Sequence, residues 1–252
     1  MSTKYNFKGR RVVVTGGGRG LGLGIVKHFI DAEASVIAID YDAALLEKLK
    51  NDFPAVETHQ VDLSDWEGTR NVIQSIDVIH HLVNNAGTGR PSEKFLDIQS
   101  NSIDQIFHLN FKSMVNVSQV VSRSMIENKI EGGTICNVSS ISDVVAVGGL
   151  AVYSCSKAAV TMLTKCMALE LGEYGIRVNC IRPAMVRTEL VGTLSGNQSE
   201  TLQNVLKANS RKIINRLAEV SEVGDAVLFL SSSASSMTTG SDVTLDGGML
   251  TC

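Results

Sequence analysis

The sequence predicts an α/β fold in which one parallel sheet is covered by helices on both faces. Two patterns carry this expectation. Short runs rich in β-branched residues alternate with amphipathic helical stretches along the chain, and the first of those runs opens directly into a glycine-packed turn. Parallel neighbours need a long crossover, usually a helix, so signals that take turns in this way imply strands buried from both sides.

The elements follow in order. "RRVVVTG" is the first strand and "ASVIAID" the second, with "LGIVKHFIDAEA" between them placing apolar residues at i, i+3 and i+4. "YDAALLEKLKNDF" repeats the helical spacing. "ETHQVDL", "IHHLVNNAG", "GGTICNVSS", "IRVNCIRP" and "DVTLDGG" then read as five more strands, each ending in polar or glycine turns. No repeat, low-complexity segment or linker divides the 252 residues, so a single domain over 1–252 is expected. The least regular stretch, about 187–212, follows a strand end, where parallel sheets bind ligands, and reads as a substrate-covering loop.

Composition narrows the function classes. With 44% hydrophobic and 19% charged residues and a net charge of -3, no basic surface for nucleic acid or an anionic membrane is expected. No apolar run reaches the roughly 18–20 residues of a membrane span, and "MSTKYNFKGR" lacks a signal-peptide core, which implies a soluble, cytoplasmic protein. The five cysteines are odd in number and form no CxxC pair. Neither disulfides nor a metal site is expected, and the thiols read as reduced and mostly packed.

The first strand ends in T-G-x-x-x-G-x-G, with Gly16, Gly20 and Gly22 ahead of a helix. Such a turn lets bare backbone approach a pyrophosphate whose charge rests on the helix N-terminus. Asp40, ending the second strand 24 residues beyond Gly16, stands where a carboxylate meets the ribose hydroxyls of an adenosine. An ordinary structural turn and a surface aspartate are the competing explanations.

Chemistry is suggested by "VSSISDVVAVGGLAVYSCSK". Tyr153 and Lys157 are four apart and share a helix face. An ammonium beside a phenol favours phenolate, and each unit by which a tyrosine falls from ~10 takes about 1.4 kcal/mol, within reach of a close cation in a partly desolvated site. A Tyr/Lys pair at this spacing is more often a packed ring beside a solvated lysine. Ser140, thirteen residues upstream at a strand end, strengthens the catalytic alternative, because its hydroxyl could hold a substrate oxygen against the tyrosine.

"TGGGRGLG", "NNAG" at 84–87, the Ser140, Tyr153, Lys157 spacing and "RVNCIRPAMVRT" together resemble the short-chain dehydrogenases/reductases over essentially the whole chain. The resemblance implies a Rossmann-type doubly wound domain, a homotetramer, and NAD or NADP as cofactor. It implies that Ser140 holds the substrate oxygen, that Tyr153 is the acid/base, and that Lys157 binds the nicotinamide ribose and lowers the tyrosine's pKa. Asn110, in "HLNFKS", matches the asparagine that anchors a proton-relaying water, although a polar residue at a helix kink would look the same. On the cofactor side the matched positions are Gly16, Arg19, Gly20, Leu21 and Gly22 at the phosphate turn, and Asp40 at the ribose. Asp62 and Leu63 match the adenine edge, and Asn84, Ala86 and Gly87 the adenosine ribose side. Pro183, Val186 and Thr188 match the nicotinamide end, with Pro183-Ala184 where the family has Pro-Gly.

"VDLSDWEGT", "MALELG" and "MTTGSDVTLDGG" look most like the L-xylulose reductase and tetrameric carbonyl reductase branch. Two features depart from it. "IDYD" after the second strand has no basic residue for a 2′-phosphate, so NAD is expected over NADP, although Arg19 offers one cation. The stretch before the tyrosine offers Val147, Leu150 and Val152 and no polar side chain, so the substrate, facing Ser140, Val147, Leu150 and Tyr153, is expected to be a small, largely apolar secondary alcohol or its ketone. The alternatives are an NADPH-using L-xylulose/dicarbonyl reductase and a non-catalytic dinucleotide-binding regulator. Reduction of an acyl-carrier thioester would require a basic entrance, for which the covering loop offers only Arg187, Lys207, Arg211 and Lys212.

Overall fold

The computed structural model, which describes residues 5–89, 91–188 and 213–251, contains a seven-stranded sheet in the order β3-β2-β1-β4-β5-β6-β7, every pair parallel. The strands are β1 (Arg11–Thr15), β2 (Ser35–Asp40), β3 (Glu57–Gln60), β4 (His81–Asn84), β5 (Thr134–Val138), β6 (Arg177–Pro183) and β7 (Asp242–Leu245). All seven expected strands form. β3 is shorter than its apolar pattern because the chain turns at Asp62, whose carboxylate accepts from the Ser64 amide at 2.9 Å. The order winds outward from β1 to β3 and then returns to β4, so the switch point lies between β1 and β4, where this class of sheet opens a binding crevice.

Seven α-helices among the described residues cover the sheet: α1 (Gly20–Asp31), α2 (Ala43–Asp52), α3 (Trp66–Ser75), α4 (Ser100–Phe107), α5 (Ser113–Glu127), α6 (Ala151–Leu171) and α7 (Val220–Ser231). The period of two along each strand splits the core into two layers. Val12 and Val14 face Ile25, Phe29, Val223 and Val227 of α1 and α7, while Val13 faces the side holding Ile73, Val117, Val121 and Met125 of α3 and α5. Each fully buried side chain of this kind contributes about 1.5–3 kcal/mol relative to exposure. The protein is therefore doubly wound, as its alternating pattern implies.

Polar groups interrupt that core at the C-terminal ends of the strands. Asn84 Nδ2 donates to Ser118 Oγ and to Asn137 Oδ1, each at 2.9 Å, and Asn137 Nδ2 donates to Thr164 Oγ1 at 2.9 Å. This ladder ties β4 and β5 to α5 and α6. Between α4 and α5 the helical path contains one π-turn, His108–Lys112, whose wider bend carries Asn110 inward.

The thiols only partly meet the expectation of packing. Cys136 and Cys180 are buried free thiols, whereas Cys155 and Cys166 are exposed on α6. Cys252 and most of the expected covering loop, 189–212, lie outside the described residues. No described helix is long and apolar enough to cross a membrane.

At the opposite ends of the strands, His81 is buried with Nδ1 against Thr134 Oγ1 at 2.8 Å and its ring edge-on to Phe7. Burial first, then the charges of His80, Arg10 and Arg177, push its pKa down to about 3 from 6.5. Below pH 6.5 the unfolded chain takes up a proton that the folded chain refuses until about 3, so stability falls as the pH drops through that window. Urea midpoints should decline steadily from pH 6.5 towards 4, and His81→Gln should flatten the decline.

Candidate active site

The glycine turn is built against the chain leaving β4. Gly16 has φ +64°, and a Cβ there would stand 3.1 Å from Ala86 Cα. Thr15 Oγ1 accepts from the amides of Asn85 (3.0 Å) and Ala86 (3.1 Å), while Asn85 Nδ2 donates to the carbonyls of Thr15 and Gly16. A Cβ on Gly22 would fall 1.9 Å from the Gly16 oxygen, so the first turn of α1 approaches the strand end as only glycine allows. α1 starts with no side-chain cap at Arg19, and Gly20, Leu21 and Gly22 line a cleft of about 480 Å³. An uncapped helix N-terminus opening on bare backbone suits a phosphate group.

The cleft brings together Gly16, Arg19 and Asp40 with Asp62, Leu63, Ala86, Gly87 and Thr188. Asn84 is a correction to the sequence reading. Its side chain is consumed by the buried ladder, and the neighbouring Asn85 lines the cleft instead, because consecutive residues leaving a strand face opposite sides. Tyr41, Val61 and Leu109 also line it and carried no sequence signal beyond proximity to a strand end or the π-turn. Pro183 ends β6 opposite Leu245, and Val186 bridges to Ala218; neither forms the cleft wall. Arg187 pairs with Glu219 at 3.0 Å.

Asp40 is buried, with Oδ2 accepting from the Gly18 amide at 3.0 Å and Oδ1 from the Asp42 amide at 3.2 Å. The carboxylate is thus tethered at both oxygens by backbone. Arg19 is held more loosely, with Nη2 3.3 Å from the Tyr41 hydroxyl and its guanidinium 5.9 Å from the centre of that ring.

Ser140, Tyr153 and Lys157 meet at the end of β5. Ser140 caps a 3-10 turn, Ile141–Asp143, accepting from the Ser142 amide at 3.2 Å and donating to Ser142 Oγ at 3.2 Å, and it lies close enough to the Tyr153 phenol to pull its pKa down. Lys157 is buried, Nζ donating to the Val138 carbonyl at 2.9 Å and lying 5.7 Å from the Tyr153 ring centre. Gly87 joins this group to the cleft: a Cβ on it would lie 3.4 Å from Lys157 Nζ and 3.1 Å from Asn110 Oδ1. Asn110 itself is fully buried. Its Nδ2 donates to the Thr88 carbonyl and Ser156 Oγ, both at 2.9 Å, and its Oδ1 accepts from the Thr88 amide at 2.7 Å, so it clamps the segment after β4 to α6.

Burial raises the Tyr153 pKa, Ser140 pulls it down and Asp143 adds to the rise. Burial lowers Lys157 itself to about 8, with Cys180 and Asp143 acting in the opposite direction. In the resting site the phenol keeps its proton.

Beside Tyr153 a small hollow is lined by Gly149, Leu150 and Val152, as expected, but also by Pro91, Ile98 and Glu93. Ser92 Oγ and the Glu93 amide both donate to the Gly149 carbonyl at 3.0 Å, which brings that segment across the site. Glu93 was missed because it is 60 residues from the tyrosine in sequence and belongs to no motif. Val147 is half-buried and lies outside the hollow.

The family profile described as short chain dehydrogenase matches residues 10–199. The chain belongs to that family. This short chain dehydrogenase is 39% identical over 247 residues to "Carbonyl reductase [NADPH] 2" of Sus scrofa, covering 98% of this chain and 99% of the relative. It is 40% identical over 242 residues to "L-xylulose reductase" of Mesocricetus auratus, covering 96% and 97%. A short-chain type dehydrogenase/reductase from Mycobacterium ulcerans superposes with a TM-score of 0.90 at 26% identity, covering 98% of this chain and 91% of the other. The short chain dehydrogenase described here is accordingly an oxidoreductase of the xylulose and carbonyl reductase branch.

Proposed function

We propose that this enzyme interconverts a ketone and a secondary alcohol with a nicotinamide dinucleotide, using NAD in preference to NADP. The observation that carries the reading is the meeting of Ser140, Tyr153 and Lys157 beside Gly87, the residue that also lines the glycine-turn cleft. A bound nicotinamide supplies the hydride acceptor or donor; the protein's own groups handle the proton and the placement. Tyr153 gives its proton to the ketone oxygen in reduction and takes it from the alcohol in oxidation. Ser140 aims a second hydrogen bond at the same oxygen. Asn110 fixes the segment that carries Gly87 against α6, and Lys157 presents its amine between that segment and the end of β5. A phenol held protonated by burial suits the reductive direction.

NAD preference rests on Asp40. At ~4 Å and an effective dielectric near 20, attraction of a 2′-phosphate by Arg19 and repulsion by Asp40 are each about 4 kcal/mol before screening, so they offset. Asp40 cannot move aside without leaving the Gly18 and Asp42 amides, whereas Arg19 is exposed and leans on Tyr41. A homotetramer is supported by an apolar groove between α5 and α6, lined by Val115, Ile126, Leu163 and Met167, with Leu169 exposed beside it.

The substrate reading favours a small, largely apolar ketone, from the Leu150 and Val152 wall. A second reading, an NADPH-using reductase of a polar ketose, is favoured by the names of the relatives and by Glu93, a carboxylate able to accept hydroxyl hydrogens in the same hollow.

Three measurements test these readings. Tyr153→Phe should retain dinucleotide affinity within a few-fold while turnover falls by at least the ~10²-fold typical of a lost general acid; unchanged turnover would remove the proton role. Comparison of kcat/KM for a cyclic secondary alcohol and for xylitol decides the substrate class, and equal or better use of xylitol favours the polar ketose. For the cofactor, wild-type kcat/KM should be higher with NAD, and Asp40→Ser should narrow or reverse the ratio. A wild-type preference for NADP would show that Arg19 prevails.

A further inference from the structure

Asp143 has no place in the glycine turn or among the proton-carrying groups, yet its carboxylate sits where three active-site segments converge. It is the last residue of the 3-10 turn that Ser140 opens, and its amide donates to the Ser140 carbonyl at 3.0 Å. Its side chain is 1% exposed. Oδ2 accepts from Thr161 Oγ1, one turn beyond Lys157 on α6, and from Arg182 Nε at 2.8 Å on β6, immediately before Pro183. Ser139 Oγ closes the loop, donating to the Lys157 carbonyl at 3.1 Å and standing 2.9 Å from Thr161 Oγ1. Behind Arg182, Asp242 of β7 takes Nη2 at 3.2 Å and also meets Lys165 Nζ of α6 at 3.3 Å and the Cys180 thiol at 3.1 Å. One buried carboxylate, Asp143, and one partly buried carboxylate, Asp242, therefore alternate with Arg182 and the exposed Lys165, so that the buried charge has an opposite neighbour.

Resting on the alcohol–ketone reading above, we infer that Asp143 is the positioning residue of this site: by gripping Thr161 and Arg182 at once, it holds the Ser140 turn, the Tyr153 and Lys157 helix and the β6 exit in one register. Thr161 and Arg182 lie 18 and 39 residues away in sequence, so these are long-range bonds, made from a side chain beside the Ser139 contacts to α6 and β6. Asp143 touches neither substrate nor cofactor positions; it acts through the groups it aligns. Its negative charge also faces Tyr153 and Lys157, and it is partly neutralised by Arg182, with Asp242, Lys165 and Cys180 as the other ionisable groups in the cluster. The carboxylate raises the Lys157 pKa, so its removal moves that titration to lower pH.

The test uses two variants of the whole chain. Asp143→Asn keeps the shape and removes the charge. Thr161→Val keeps the Arg182 ion pairs intact and removes the hydroxyl that joins α6 to Asp143 and to Ser139, so it remains informative if Asp143→Asn fails to fold. In either folded variant kcat should fall by about tenfold or more, with dinucleotide KM within about threefold, the loss expected when reacting groups are misplaced and binding is spared. In Asp143→Asn, the amine of Lys157, followed by NMR of labelled lysine, should titrate at lower pH than in the wild type. A folded variant with kcat within about threefold of wild type would overturn the inference. Were the wild type itself to turn over no alcohol or ketone, the function proposed above would fall, and the Lys157 titration would then decide on its own: a shift sustains the coupling of Asp143 to the site, and an unchanged value overturns it.

Discussion

The Lys157 amine donates to the Val138 carbonyl at 2.9 Å with only 4% of the residue exposed, and withdrawing such a charge from water costs several kcal/mol unless polar partners replace the solvent. That carbonyl is the last of β5. The next amide, Ser139, still completes the ladder to the Ile181 carbonyl of β6, and the strand gives way where Ser140 caps the 3-10 turn. The last carbonyl of β5 thus fixes the depth of the lysine two residues before the serine. Tyr153 follows by helical geometry, one turn earlier on α6. The ladder from Asn84 through Asn137 to Thr164 prevents α6 from sliding along the sheet, so the depth is kept.

At the cofactor end, the glycines answer to three different constraints. Gly16 takes a left-handed φ and passes Ala86; Gly22 meets the Gly16 oxygen; Gly18 would place a Cβ 3.0 Å from the Asp40 carboxylate and 2.9 Å from Leu45 Cβ. Gly18 gives its amide to Asp40, so the phosphate turn and the carboxylate beyond it form one rigid unit. The same bond that shapes the turn therefore holds a negative charge at the far end of the cleft, and a ligand is read by both together.

The doubly wound sheet was legible because its signals are local: β-branched runs, the amphipathic period and turn residues lie within a dozen positions of one another. The Ser140, Tyr153 and Lys157 group was legible for a related reason, since a strand end and one helix supply all three. Asn84 was misplaced because consecutive residues of a strand face opposite sides, and the spacing of "NNAG" does not say which asparagine faces the cleft. Glu93 and Asp143 were not legible as site residues. Glu93 is brought to Tyr153 by hydrogen bonds to the Gly149 carbonyl, and Asp143 meets partners 18 and 39 residues away, contacts that exist only once the sheet is assembled. The upward push on the Tyr153 pKa was hidden for the same reason: helical spacing places a lysine one turn away, but only the assembled site buries the phenol.

Burial acts on the tyrosine and the lysine with opposite sign and to the same end. It disfavours the charged form of each, raising the phenol and lowering the amine to about 8, so the site drifts towards two neutral groups. Neutrality of the phenol is useful for giving a proton to a ketone. Neutrality of the amine is not, because a cation next to the developing alkoxide and phenolate is what stabilises the charge they share. The chain counters both effects. Asp143 supports the ammonium, and Ser140 supports the phenolate. Under the proposed function, this arrangement keeps the proton on Tyr153 until a substrate oxygen arrives, and holds the serine where it lowers the cost of releasing it.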